Sequence, residues 1–166
     1  MSQLANTFIE LFSVNAGSLR ATCRDVTEDE SGIRPGNRQN PIHWLVGHVA
    51  TYRAHVLERL DAPLDVGMEL RRHFGKDTSP DGLAAAPRFT DVLAAFSRLH
   101  DGLSTRLREM GDEAFLVKTP VPGGRELPAV TFFYFHETYH IGQIGYARTW
   151  LGKPPLVAKG PVAGGP

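Results

Sequence analysis

Among 166 residues the chain carries one cysteine, Cys23. A lone thiol cannot close an internal disulfide, which excludes the small secreted disulfide scaffolds and points to a reducing, cytoplasmic compartment. Net charge is missing as well, with 18 Lys and Arg against 18 Asp and Glu and no dense basic cluster. Such a surface gives nucleic acid no electrostatic footprint to meet. The longest apolar stretch, Val130 to Phe135, is stopped by His136 and Glu137, far short of the ~20 residues of a membrane span. Residues Met1 to Asn6 lack a basic region followed by an apolar run, so no signal peptide is expected. Strands are scarce too. The best candidate, Val117 to Val121, is demoted by Pro120 because proline cannot donate to a ladder.

What is present is a globular composition, 42% hydrophobic and 22% charged, at the length of a single domain. Hydrophobic periodicity predicts four helices and an all-α fold. The first spans about Ser2 to Val26, with Leu4, Phe8, Leu11, Phe12 and Leu19 on one face, and Ser31 to Asn37 follows as loop. The second takes Asn40 as cap and Pro41 as its first helical residue, and runs through Leu60 to stop before Pro63. The third begins near Pro87 and ends around Gly111; the fourth begins near Pro128 and ends at Gly152, ahead of Pro154 and Pro155. Between the second and third lies Asp61 to Ala86, with Leu64 to Phe74 as a short extra helix. Antiparallel neighbours in a bundle need only ~2–8 connecting residues. A connection this long crosses the bundle, so the second and third helices are expected to run parallel. The organisation predicted is one domain over 1–152 and a Gly/Pro-rich irregular tail over 153–166.

The chemistry concentrates in the fourth helix. His136 and His140 are four apart, one above the other on a helix face. At ~100° per residue, Phe132, Phe133, Gln143, Ile144, Ala147 and Leu151 share that face, so the imidazoles lie on the core stripe. Buried imidazole needs hydrogen bonds or a metal, and two at this spacing can chelate one ion. His136 to His140 also spells the zinc-protease signature H-E-x-x-H. That signature requires a third ligand downstream, and no His, Asp or Glu follows His140. The third ligand must therefore come from upstream. His48, flanked by Trp44 and Tyr52, is one candidate; His55 and His100 are others, while His43 points elsewhere and His73 lies in the crossover. Glu137 is the candidate general base, although the helical wheel turns it about 80° from the histidine pair. Asn15, on the core stripe of the first helix, bonds either a neighbouring backbone group or the metal's surroundings. Gly142 and Gly145 weaken a good helix, which suggests close helix approach, within the bundle or across a homodimer interface.

Gly47-His48 after Trp44-Leu45-Val46, Phe74-Gly75 in the crossover, and His136, His140 and Gly142-Gln143 in the last helix together resemble the DinB/YfiT-like superfamily. The resemblance covers roughly Leu4 to Leu151. It implies a four-helix bundle of up-down-down-up topology and a divalent metal, zinc or nickel, on His48, His136 and His140. It also implies a small-molecule substrate and an enzyme of low-molecular-weight-thiol S-transferase type, with a thiol as cosubstrate. A metal-dependent small-molecule hydrolase and a non-catalytic, metal-binding stress-response bundle are the alternatives. Glu137 and Tyr139 inside the histidine motif depart from many members.

Overall fold

The computed structural model describes residues 2–36 and 38–156. Four long helices form the bundle: α1 (Gln3–Cys23), α3 (Ile42–Arg59), α5 (Phe89–Met110) and α6 (Ala129–Trp150), with the short helices α2 (Glu28–Ser31) and α4 (Leu70–Phe74) between them. The Ser2 hydroxyl caps α1 by accepting from Ala5 N at 3.2 Å. The first helix ends at Cys23, three residues short of the predicted Val26, and Thr27 and Glu30 form a capping box that starts α2 anew just ahead of the predicted loop. Pro41, not Asn40, occupies the cap position of α3, and no side chain bonds there. Leu64 to Phe74 is helical only from Leu70 onward.

Terminal contacts give the direction of each helix. His43 Nε2, at the start of α3, lies 2.9 Å from Pro87 O just before α5. Arg106 Nε, near the end of α5, donates to Leu60 O just after α3 at 2.8 Å. These two helices therefore run parallel, as the long crossover predicts. Along α1 and α6, Phe8 meets Tyr134 edge-on, and Arg148 Nη1 donates to Thr22 O at 2.8 Å. That pair is parallel too, and the topology is up-down-down-up.

The expectation of no strand is corrected by a two-stranded antiparallel hairpin, β1 (Lys118–Val121) and β2 (Arg125–Pro128), with Pro120 opposite Glu126. An isolated pair has two free edges, so a strand proline need not break the ladder. Gly123 and Gly124, at φ of +90° and +73°, turn the chain between the strands. Gly152, at φ +78°, ends α6 as predicted. Of the predicted tail, residues 157–166 lie outside the described residues. Among the described residues, no helix is long and apolar enough to cross a membrane.

Candidate metal centre

His48 comes from the second turn of α3 and His136 and His140 from the middle of α6. The structure brings these three imidazoles together, each offering a nitrogen within 4.8 Å of the others. His48 is fixed from the crossover: its Nδ1 lies 2.8 Å from Phe74 O. Only a protonated Nδ1 can donate to a carbonyl, so the Nε2 lone pair is left free. His140 Nδ1 likewise meets Gln143 Oε1 at 2.7 Å, and Gln143 Nε2 in turn donates to Tyr139 Oη at 3.2 Å. His136 Nδ1 is buried without a partner among the described residues, and its Nε2 stands 3.2 Å from His140 Nε2.

Proton counting shows why this arrangement suits a cation. His48 and His140 both turn unprotonated Nε2 atoms into the cluster, and His136 has one proton to give as a neutral ring. Placed on Nε2 it leaves Nδ1 orphaned in the core; placed on Nδ1 it leaves the converging lone pairs facing each other. Nor does further protonation serve, since burial pushes His48 down to about 4 and His136 to about 3. His140 is lowered for the same reason. A tetrahedral ion with metal–nitrogen bonds of about 2.0–2.1 Å sets its ligand nitrogens roughly 3.3 Å apart, which the 3.2 Å between His136 and His140 already matches. The residues fit a divalent metal.

A glycine makes the crossover contact possible. A Cβ on Gly47 would lie 2.2 Å from Phe74 Cγ, so only glycine lets that ring sit on α3 and present its carbonyl to His48. Trp44 stacks on His48 with centroids 4.5 Å apart, and its Nε1 donates to Thr78 Oγ1 at 3.0 Å, a second tie to the crossover. The model of the DinB superfamily matches residues 11–144. The chain belongs to the DinB superfamily.

Another DinB-like protein, YfiT from Bacillus subtilis, has a solved structure described as "a probable metal-dependent hydrolase with an unusual four-helix bundle topology". It matches with a TM-score of 0.62 over 92% of this chain and 91% of that chain, at 15% identity, a likeness of fold. No curated protein matches. In this DinB-superfamily chain the other upstream histidines stand outside the cluster. His55 Nδ1 is 3.2 Å from Glu58 Oε2 at the surface. His100 on α5 has a buried Nδ1 with no partner among the described residues.

Glu137 is corrected outright. Its side chain is buried, and both oxygens bond Arg53 of α3: Oε2 accepts from Nε at 2.9 Å and Oε1 from Nη2. The guanidinium lies 4.3 Å from the Phe96 ring centroid and 5.3 Å from that of Phe12. Burial raises the Glu137 pKa against the opposing pull of Arg53. A carboxylate held by a guanidinium in the core cannot serve as general base at the cluster. Asn15 also departs from both of its readings, since its Nδ2 donates across to Thr138 Oγ1 on α6 at 3.0 Å. Cys23 is a buried thiol, pushed up to about 12 by burial.

Acid should weaken the metal-free fold. His48, His136 and His100 titrate in the unfolded chain near 6.5 but in the fold at about 4, 3 and 4. Below the unfolded value the unfolded chain therefore binds more protons, so stability is full above about pH 7 and declines as pH falls toward 4. Urea unfolding of chelator-treated protein along that range checks it; flat stability across it is the contrary result.

Proposed function

We propose that His48, His136 and His140 hold a divalent ion, zinc or nickel, through Nε2, and that the protein transfers a low-molecular-weight thiol to an electrophilic small molecule. The observation that carries the metal is the convergence of Nε2 lone pairs with too few protons to reconcile them. Three neutral ligands leave positions open, and an ion there lowers the pKa of a bound thiol or water. Beside the cluster lies a cleft of about 530 Å³ walled by Trp44, Tyr52, Phe132 and Phe133, with Lys76 at its edge. Its lining holds no Cys, Ser, Asp or Glu. Among the described residues the cleft thus offers no thiol, serine or carboxylate nucleophile, which favours one that arrives as a cosubstrate. The half-buried Tyr52 hydroxyl, its pKa raised by desolvation, stays protonated as a donor beside the cluster.

A second reading, metal-dependent hydrolysis, is favoured by His55. Its ring borders the same cleft, and Glu58 at Nδ1 would orient it to accept a proton from water. YfiT, the structural neighbour, is described in those terms.

Metal content gives the first test. His48→Ala, His136→Ala and His140→Ala should each lose most of the ion, while His55→Ala and His100→Ala retain it; the reverse pattern would refute the ligand set. Cobalt substitution then separates the two readings. Titration with glutathione, bacillithiol or mycothiol should produce a sulfur-to-cobalt charge-transfer band that survives His55→Ala. A spectrum moved by a hydroxamate and by no thiol would establish the hydrolase instead. Silence toward both would make the site a closed, structural one.

A further inference from the structure

The cleft beside the histidine cluster adjoins a second cavity of about 380 Å³ between α3 and the crossover. Tyr52, His55 and Lys76 wall both spaces, which meet at these side chains. Charge in them is lopsided. Among the described residues Lys76 is the one Lys, Arg, Asp or Glu that lines the cleft, while its neighbour Asp77 lines only the second cavity. Arg71, also in the second cavity, is engaged by Glu58 at 2.8 Å. Lys76 has no carboxylate partner among the described residues.

Nor does Arg59, which follows His48, Tyr52 and His55 along one stripe of α3. Its Nη2 donates to Thr119 Oγ1, on the cleft wall, at 3.1 Å. Its Nε is buried with no partner among the described residues. Two uncompensated cations thus stand at the cleft, one on its crossover side and one behind its hairpin wall. The three histidines are neutral and bring no negative charge to offset a divalent ion. A cleft lined by one sign of charge concentrates ligands of the other, and this one calls for an anion.

The backbone under Lys76 is held in register with the cluster. Its turn is closed by Thr78, whose N and Oγ1 donate to Gly75 O at 3.1 and 2.8 Å. Thr78 Oγ1 also accepts from Trp44 Nε1, and Phe74 O accepts from His48 Nδ1. Both flanks of Lys76 are therefore tied to the stacked rings of α3, and its flexible stem carries a compact point charge from that fixed base into the cleft.

We propose that Lys76 is a specificity-determining residue, its ammonium binding a carboxylate carried by the small molecule that occupies the open metal position. Arg59 adds attraction from behind Thr119. This rests on the open metal site proposed above. The full chain loaded with cobalt is titrated with mercaptopropionate and its neutral amide, and with succinate monohydroxamate and its amide. The partners of each pair differ in charge at one end. Wild type should bind the carboxylate of a pair more tightly, and Lys76→Gln should lose about fivefold of that preference, the upper worth of a solvent-reached ion pair. Lys76→Arg should keep the preference, and added salt should erode it. Arg24→Gln, which removes a positive charge at the end of α1, should leave it unchanged. A Lys76-dependent preference among hydroxamates, with no thiol altering the spectrum, would refute the transferase reading and uphold this proposal. Equal loss for carboxylate and amide in Lys76→Gln, or no loss for either, would overturn the proposal and leave that reading standing. Silence toward all four probes would overturn it together with the open site.

Discussion

Glu137→Ala should destabilise the protein by about 3–5 kcal/mol, the cost of leaving a buried charge without its partner, or roughly 6–20 °C in melting temperature at this chain length. Arg53 is fully enclosed, it rests on the Phe96 ring, and its Nη1 has no partner among the described residues. Glu137 is its compensating charge. The informative comparison is the double variant Arg53→Met/Glu137→Leu, which removes both charges at similar volume. It should recover most of the loss, as urea unfolding beside wild type will measure. Double-variant stability no better than that of Glu137→Ala would show that the pair acts through something besides mutual neutralisation. Metal content should persist in every variant that folds, as expected for a residue that holds the bundle and does not serve the cluster.

Gly47→Ala is the second large effect. The new methyl would fall 2.2 Å from Phe74 Cγ and 2.3 Å from Cδ1, within a ring that is itself fully buried. Overpacking of this kind costs about 1–3 kcal/mol or more. The functional consequence is larger. Moving Phe74 moves the carbonyl that fixes His48, and loss of such a supporting bond lowers metal affinity by about 10–100-fold. Chelator competition measures this, and Gly47→Ala/Phe74→Ala should restore part of the affinity by removing the clash, although the lost ring leaves stability low. Metal affinity in Gly47→Ala equal to wild type would refute the coupling.

Much of this architecture was legible in the chain. The four long helices follow from apolar periodicity, and the parallel pair from the length of the crossover alone. The histidines of α6 could be placed on the core stripe by the wheel. The third member was underdetermined, because His48, His55 and His100 all occupy tolerable positions until the crossover is seen to fold over His48. The hairpin was discounted because its strands are four residues each and both contain a proline, Pro120 and Pro128. Arg53 and Glu137 did leave a signal: Val46, Val49, Arg53 and Val56 share one stripe, as do Val130, Phe133, Glu137 and Ile144. Opposite charges at core positions of two helices call for each other. Phe74 over Gly47 is a contact between distant segments that no local pattern encodes.

The division of the cluster between α3 and α6 also sets when it comes into being. His48 leaves the ribosome roughly 90 residues before His136 and His140, and at ~5–20 residues per second that interval lasts about 5–20 s. Throughout it the nascent chain displays one histidine of the set and lacks the chelating pair. The three-histidine cluster is therefore completed only when the last helix docks against α3.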